Sequence, residues 1–250
     1  MALGAAAIPG VAIAQTVTPL APPSLAPALP ATVAPPAPGA PGVPVAPPPP
    51  ATLSAPAIGG AHPLANVDKT KSYYLFFQQQ IDLNTTKSLR NYLVQLVEEG
   101  ASDITIVINS NGALVMPALN LYSLIRALPT QIKTHGQNFV QSAANIIFLA
   151  GAERSADADA KFLFHPSQAQ IFGLFNSMQS EDQLRQINDV EATLAGIYKG
   201  RTGLADADLA VFRQRSIVYD ADAALKNGIV QRVGDLQIPG DKKAKLVFVD

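Results

Sequence analysis

Ser142 is a lone hydroxyl at a position in this sequence where nucleophilic chemistry is one possible role. It lies in the stretch NFVQSAANIIFLAG (138–151), where a predicted strand ends and a run of small and apolar residues begins. A serine hydroxyl acts as a nucleophile only when a base takes up its proton and when donors stabilise the oxyanion that develops on the substrate. Other segments of the chain must therefore supply a base and donors for Ser142.

Two histidines follow the first predicted strand, and each is a candidate base. His165 ends the apolar stretch AKFLFH and precedes Pro166, which does not continue the interior of a sheet. It is the better candidate because it stands at the end of a strand. His135 lies seven residues before Ser142 on the preceding strand, and we interpret it as a structural or surface histidine.

The backbone around Ser142 offers candidate donors for an oxyanion. The amide of Ala143 belongs to the start of a small predicted helix, where backbone N–H groups have no intrahelical acceptor. The tight turn NSNGA (109–113) offers a second amide, from Gly112 or Ala113, because glycine permits the dihedral angles of such a turn. A simpler role, in which Ser142 only caps the helix, fits the same spacing, and the spacing leaves both roles open.

Strands and helices alternate from Ser72 to the end of the chain. The predicted strands are SYYLFFQ, DITIVIN, QIKTHGQ, AKFLFHP and IVQRV, with KLVFVD as a further edge strand. The predicted helices are one capped by Thr85 or Thr86 and stopped at Gly100, one that ends before Pro129, a small buried helix over Ser142–Ala150, a long amphipathic helix over Glu181–Gly200, and the shorter DADLAVFRQR and DADAALKNG. This alternation predicts an α/β fold of β-α-β units with a mostly parallel sheet.

The candidate site residues share one position in this pattern. Gly112, Ser142 and His165 each come directly after a predicted strand. The carboxyl ends of parallel strands meet at one edge of a sheet, and sites of such folds form there. We therefore expect these three residues to lie close together.

The N-terminal part of the chain differs in composition from the rest. Residues 1–60 contain no Asp, Glu, Lys or Arg, and they hold 16 of the 21 prolines. Such sequence cannot bury enough apolar surface to offset the entropy of ordering it. We interpret 16–65 as a disordered Pro/Ala-rich linker and 66–250 as one folded domain, which is long enough for a sizeable core.

The first fifteen residues, MALGAAAIPGVAIAQ, have features of a signal peptide. Small residues occupy the positions before Gln15 that a signal peptidase reads, although the apolar stretch is short and no basic residue precedes it. We interpret residues 1–15 as a truncated signal peptide, with a true start upstream of Met1, or alternatively as a plain Ala-rich tail, and the sequence leaves both open. The protein is therefore expected to be periplasmic or secreted, with a cytoplasmic location as the alternative.

Charge and composition exclude several other classes of function. The formal net charge is −1 and no cluster of Lys and Arg stands out, which argues against a nucleic-acid partner. The chain has no cysteine, which excludes disulfides, thiolate nucleophiles and Cys-based metal sites. We expect no cofactor, no metal and no membrane span.

From about Leu75 to Val233 the chain resembles the ClpP/crotonase-type serine peptidases, above all the proteolytic subunit of Clp protease. ITIVINSNGALVMPALNLYSLIRAL is similar to the family's strand, INSPGG turn and following helix. THGQNFVQSAANIIFLAGAE is similar to GQAASMGAFLLTAGA, which puts Ser142 on the nucleophile, and AKFLFHPS is similar to RVMIHQP, which puts His165 on the base. The segments YKGRTGLADADL and VYDADAALKNGIVQRV follow in the family's order.

The resemblance implies a fold, an activity and an assembly. It implies the ClpP/crotonase fold and a serine endopeptidase that hydrolyses peptides or unfolded proteins. It also implies a ring-shaped homo-oligomer, because the family's equivalent of the long helix interlocks rings. An ATP-dependent unfoldase partner stays undetermined, because the family's N-terminal docking loops have no counterpart here.

Three departures from the family pattern affect the predicted site. Counting back from Gly228 without gaps, the acidic third member of the family's triad falls on Ser216. This change leaves a Ser-His dyad, an orienting hydroxyl at Ser216, or a substitute such as Asp220. The family's second turn glycine is Ala113 here, and the two residues at 144–145 are Ala-Asn instead of Gly-Ala.

These departures leave three hypotheses. The favoured one is a ClpP-like serine peptidase with Ser142, His165 and Ser216 as catalytic residues and with oxyanion donors from the turn and from Ala143. The second is a catalytically weakened or silent ClpP-fold protein that serves as an assembly or binding module. The third is a crotonase-type enzyme acting on acyl-CoA, for which the nearest glutamate in sequence is Glu153.

Overall fold

The structure, a computed structural model, describes residues 64–168, 176–240 and 243–249. The predicted signal peptide and nearly all of the predicted linker lie outside these ranges. Leu64 falls within the predicted linker, but it is tied to the folded domain. Its amide donates to Gln95 Oε1 at 2.9 Å, and its carbonyl accepts from Gln95 Nε2 at 3.0 Å.

Strands and helices alternate in the described ranges as the sequence predicts. They are β1 Ser72–Phe77, α1 Leu83–Glu98, β2 Asp103–Ser110, α2 Val115–Ala127, β3 Ile132–Gln141, α3 Ala144–Ala150, β4 Glu153–Ala156, β5 Lys161–Phe164, α4 Ser177–Arg201, α5 Asp206–Phe212, β6 Ile217–Asp220, α6 Ala221–Lys226, β7 Arg232–Val233 and β8 Ala244–Val249. The short strands β4 and β6 are additions to the predicted set, and α4 begins at Ser177, before the predicted Glu181.

Helix α1 begins differently from the prediction. Its N-cap is Asp82, whose carboxylate accepts from the amides of Asn84 and Thr85 at 2.7 and 2.8 Å. Thr85 Oγ1 in turn accepts from the Asp82 amide at 3.1 Å, which completes a capping box. The prediction that Thr85 or Thr86 caps this helix was therefore wrong, because the threonine is the third helical residue of the box.

The strands form one mixed, mostly parallel sheet. Its main order is β6-β5-β3-β2-β1-β8, with β4 paired to β3 and β7 paired to β4. Every pairing is parallel except that of β5 with β6. The prediction of a mostly parallel sheet with a C-terminal edge strand is confirmed. Strands β1 and β2 are buried on both faces, which explains their continuous apolar sequences.

Strand β3 changes partner along its length, and this change shapes the site. Its first half pairs with β4, from Lys133 to Gly136, and its end pairs with β5, where Gln141 faces Leu163. Between the two halves Asn138 has a φ of +46°. The end of β5 is thereby brought beside the residue that follows β3. Helix α3, which comes next, is buried at all seven positions, as predicted.

Among the described helices, none is both long and apolar enough to cross a membrane.

Candidate active site

The backbone at Ser142 is strained, and its hydroxyl is unpaired. Its φ is +54°, a left-handed conformation that is uncommon for a residue with a side chain. Such a residue costs on the order of 1–3 kcal/mol and persists only where its surroundings impose it. The Ser142 amide donates to Leu163 O at 2.9 Å, whereas no hydrogen bond within the described ranges involves the Ser142 hydroxyl. The hydroxyl therefore does not cap α3.

The turn at Gly112 lies directly against the Ser142 junction. Gly112 has a φ of +86°, and a Cβ on it would come within 2.6 Å of Gln141 O and 2.8 Å of Ser142 Cβ. Only glycine lets the two backbone segments approach this closely. The Gly112 amide donates to Ser110 Oγ at 3.1 Å, so it already has an acceptor.

The amides of Ala113 and Ala143 have no acceptor among the hydrogen bonds of the described segments. The hydrogen bonds around Ala113 join its neighbours to Ile81 instead. The Ile81 amide donates to Gly112 O at 2.7 Å, and the Leu114 amide donates to Ile81 O at 2.9 Å. Ala113 itself has a φ of +132°, so the residue in place of the family's second glycine also has a strained backbone. Of the three predicted donors, Ala113 and Ala143 are free to bind an oxyanion.

His165 follows β5 and has a defined tautomer. Its Nδ1 lies 2.7 Å from the carbonyl oxygen of Pro166. Because a carbonyl oxygen only accepts, Nδ1 carries the hydrogen in this contact and the neutral ring keeps its lone pair on Nε2. A general base for a serine needs this tautomer. The Pro166 carbonyl thus accepts the Nδ1 hydrogen bond that a carboxylate accepts in a Ser-His-Asp triad.

A cavity of about 790 Å³ brings Ser142, His165, Ala113 and Ala143 together. Gly112, Ser142 and His165 were predicted to lie close together at the strand ends; Ser142 and His165 line this cavity, and Gly112 lies directly against Ser142. No hydrogen bond between Ser142 and His165 occurs within the described ranges. Tyr198 also lines the cavity, and burial raises the pKa of its hydroxyl, which keeps it neutral. From the amphipathic pattern of α4, the sequence predicted that this helix packs through its apolar face. The pattern did not indicate that Tyr198 would line the cavity.

Ser216 comes directly before β6, whereas Asp220 is the last residue of that strand. In the antiparallel pairing of β5 with β6, Phe164 faces Ile217, so Ser216 comes opposite His165 one step beyond the ladder. Ser216 is exposed and has no hydrogen bond. Asp220 faces Lys161 and caps α6, where it accepts from the Ala223 amide at 2.8 Å. The structure therefore separates Asp220 from His165, and Asp220 does not replace the missing carboxylate.

Two further side chains hold the segments around the site: Asn145, noted above as a departure from the family pattern, and Glu191, which the sequence analysis did not single out. Asn145 Nδ2 donates at 2.7 Å to Leu163 O, which also accepts from the Ser142 amide. Asn145 thus ties α3 to β5, two residues before His165. Its buried Oδ1 has no hydrogen-bond partner. On the other side of the histidine, Glu191 of α4 accepts from the Ser167 amide at 3.2 Å and from Arg213 Nε at 2.7 Å.

Glu153, the candidate glutamate for acyl-CoA chemistry, lies away from this site. It is exposed on β4 and lines a different cavity, together with Lys133. No group of three or more potential metal ligands occurs among the described residues.

Comparison with known proteins assigns the family. The family model described as Clp protease matches residues 66–237. The ATP-dependent Clp protease proteolytic subunit of Acorus calamus is 27% identical over 168 residues, which cover 64% of this chain and 81% of that protein. The subunit of the same name from Hordeum vulgare is 26% identical over 167 residues, covering 66% and 77%. This chain belongs to the Clp protease family.

A solved structure agrees with the fold. A mutant of ClpP1 from Listeria monocytogenes superposes with a TM-score of 0.56 at 19% sequence identity, and the match covers 66% of this chain and 92% of that one. The predicted ClpP-type α/β fold is therefore confirmed.

Proposed function

We propose that this chain is a serine peptidase in which Ser142 is the nucleophile and His165 the general base. The observation that carries the proposal is the shared cavity. In it a strained serine with an unpaired hydroxyl, two backbone amides without acceptors and a histidine of the required tautomer lie together. Strain and unpaired donors both cost stability, and they are typical of sites where function requires them.

The arrangement supports acyl transfer in two stages. Ser142 Oγ attacks the scissile carbonyl carbon while His165 Nε2 takes up the hydroxyl proton. The Ala113 and Ala143 amides donate to the oxyanion, and His165 then protonates the leaving amine. Water, activated by the same histidine, hydrolyses the acyl-enzyme. Because Pro166 offers a neutral carbonyl, it fixes the tautomer but stabilises the imidazolium less than a carboxylate does, so we expect slow turnover.

We propose short peptides and unfolded polypeptides as substrates and a homo-oligomer as the working form. The large apolar side chains of α4 and of the α2 start support the assembly, because Met178, Leu184 and Met116 are 66%, 61% and 58% exposed. Met116 also lines one cavity together with Ile187 and Val190 of α4, and contiguous apolar surface of this kind marks interfaces. Light scattering at micromolar concentration tests this, and a monomer mass contradicts it.

The catalytic assignment is tested by removing each member of the pair. We expect Ser142→Ala, His165→Ala and the double variant each to abolish hydrolysis of a fluorogenic peptide by a similar factor, since members of one catalytic unit are not additive. Ser167→Ala is the matched control, because this serine lines the same cavity and has no proposed role. Hydrolysis at the wild-type rate by Ser142→Ala contradicts the assignment.

The second candidate is a silent scaffold of the same fold. The exposed Ser216 in place of the acidic residue favours it, as does the absence of a contact between any described carboxylate and His165. A fluorophosphonate probe separates the two functions. Labelling at Ser142 supports the peptidase, whereas an unlabelled Ser142 in correctly folded protein supports the scaffold.

We further propose a periplasmic or secreted location, which rests on residues 1–15 alone. Cell fractionation of the native protein tests it, and recovery only in the cytoplasm contradicts it.

A further inference from the structure

A second serine, histidine and carboxylate are joined on another part of the sheet. His135 Nδ1 lies 2.8 Å from Ser155 Oγ, and His135 Nε2 lies 2.8 Å from Asp157 Oδ1. These residues lie away from α3. Thr134, the neighbour of His135 on β3, donates to Phe148 O of α3, and successive side chains of a strand point to opposite faces. His135 therefore faces the other side of the sheet.

The hydrogen bonds fix the direction of proton donation along this chain of groups. Asp157 Oδ1 also accepts from the Leu236 amide at 3.1 Å, and Oδ2 accepts from Gln137 Nε2 at 3.0 Å. The carboxylate is thus surrounded by donors, so His135 Nε2 carries a hydrogen and donates it. Burial lowers the pKa of His135, which keeps the ring neutral and Nδ1 free to accept. The Ser155 hydroxyl therefore donates to an imidazole that a carboxylate orients.

Ser155 has access to a cavity of its own. The cavity has a volume of about 520 Å³, and Ser155, Lys133 and Arg232 are among its lining residues. In the pairing of β4 with β7, Arg232 lies directly opposite Ser155. Arg232 is exposed and has no salt bridge among the described residues, whereas Lys133 is paired with Asp103 at 2.9 Å. An unpaired cation thus stands beside the serine, where it can stabilise negative charge.

We propose that Ser155, His135 and Asp157 form a second nucleophilic site, which hydrolyses small carboxylic esters in this cavity. Ser155 Oγ bonds to the acyl carbon as His135 Nδ1 takes up its proton. The ester C–O bond then breaks, and the proton passes to the leaving alcohol. Water cleaves the acyl-serine to release the acid and restore the hydroxyl. Arg232 donates to the oxyanion in both stages.

The test starts from full-length Ser142→Ala protein, so that its outcome does not depend on the proposed peptidase site. The protein is incubated with p-nitrophenyl acetate and, separately, with a small fluorophosphonate, and the modified serine is located by peptide mass spectrometry. We expect an adduct at Ser155 in wild type and in Ser142→Ala. Ser72, which donates to the Asp103 carboxylate but contacts no histidine, is the matched internal control and stays unmodified.

Two further variants separate catalysis from structure. Ser142→Ala/Ser155→Ala should lose ester hydrolysis. Ser142→Ala/Asp157→Asn should fall by about 10²-fold or more, because the orienting carboxylate is lost. Circular dichroism and thermal melting verify that each variant is folded, and the wild-type adduct map requires no variant at all. The absence of a Ser155 adduct overturns the proposal, as does an equal ester hydrolysis rate in Ser142→Ala and Ser142→Ala/Ser155→Ala.

Discussion

The two serine-histidine pairs of this protein are built in opposite ways. At the proposed peptidase site of Ser142 and His165 the distinctive features belong to the backbone: a left-handed serine, two unpaired amides and a proline carbonyl that orients the histidine. At Ser155 and His135 side chains provide it, through two hydrogen bonds of 2.8 Å that end on a carboxylate. No hydrogen bond joins Ser142 to His165 within the described ranges, whereas hydrogen bonds join Ser155, His135 and Asp157. The two should therefore respond to different substitutions.

Arg154 connects the region around Ser142 with the region around Ser155. Its substitution should have the largest effect of the changes considered, on the free energy of unfolding. Arg154 precedes Ser155 on β4, and its buried guanidinium donates to Gly151 O, at the end of α3, and to Ile229 O. Burial, together with nearby Arg201 and Arg126, lowers the pKa of Arg154 to about 10, so it stays charged at neutral pH. Arg154→Met removes the donor from the carbonyls of Ile229, Gly228 and Arg201, and we expect a loss of about 3 kcal/mol or more in the free energy of unfolding.

Urea denaturation measures this loss. Arg185→Met is the matched control, because the Arg185 side chain is 70% exposed and its substitution should change the free energy of unfolding little. Equal stability of Arg154→Met and wild type contradicts the expectation.

Gly112→Ala should damage the Ser142 site and leave the Ser155 site intact. The added methyl group collides with Gln141 O and Ser142 Cβ, so the turn that carries the Ala113 amide must move away. Loss of one oxyanion donor costs about 10²–10³-fold in rate, and we expect peptide hydrolysis to fall by about that factor.

The control for this variant is Gly196→Ala in α4, where an added Cβ meets no atom within 4 Å. Peptide hydrolysis and adduct formation at both serines are measured in the two variants. A parallel loss at Ser155 in Gly112→Ala indicates global unfolding and removes the distinction between the sites.

Ser216→Asp should make the first site more like the second. Ser216 comes opposite His165 one step beyond the β5–β6 ladder, so an aspartate there can reach the imidazole and stabilise its charged form. We expect the rate of peptide hydrolysis to rise by about tenfold. This is less than the roughly 10⁴-fold that an orienting carboxylate contributes in a complete triad. Ser216→Asn is the control of equal shape without charge, and an equal rate in both variants shows that the carboxylate does not reach the histidine.

The smallest expected effect is on the pH dependence of the free energy of unfolding. Burial lowers the pKa of His135 below its usual 6.5, with Arg232 acting in the same direction and Asp157 and Asp235 acting against it. The unfolded chain then binds a proton at a higher pH than the folded chain does. The free energy of unfolding is therefore undiminished above about pH 6.5 and falls as the pH drops toward the lower folded pKa, by at most about 1.4 kcal/mol per pH unit.

Urea unfolding of wild type and of His135→Gln between about pH 7.5 and 5.5 measures the difference. The variant should lack this part of the pH dependence, while His165→Gln should keep it. Indistinguishable slopes for wild type and His135→Gln would show that His135 takes up no proton on unfolding in this range.

The order of elements was largely predictable from sequence, whereas the catalytic roles of Ser142 and His165 stay a prediction. Apolar strands and helical periodicity are local patterns, and they gave the alternation, the buried α3 and the parallel sheet. The short strands β4 and β6 were missed because four residues carry little periodic signal. The cap of α1 was misplaced because Asp82 and Thr85 share one box, and the sequence did not show which of them begins the helix.

From the sequence, we interpreted His135 as a structural or surface histidine. Its hydrogen-bond partners could not be recognised because they lie 20 and 22 residues away along the chain. Nothing in the local pattern of QIKTHGQ indicates that β4 will pair with β3 and present Ser155. The same holds for Arg154, whose acceptors at Ile229 and Gly228 lie far along the chain. Contacts of this kind become visible only once strand pairing is known.

The sequence by itself determined the composition-based exclusions and the alternating elements, since these depend on residue types and short spacings. It singled out Ser142 and His165 as the candidate nucleophile and base through the resemblance to a family, because their spacing alone left the role of Ser142 open. Tertiary structure decided which amides stay unpaired, that Pro166 orients His165, that Asp220 caps a helix, and that His135 joins Ser155 to Asp157. The physical reason is that hydrogen-bond satisfaction and burial depend on every segment that packs around a group. Strand register, which places those segments, is set by the whole sheet.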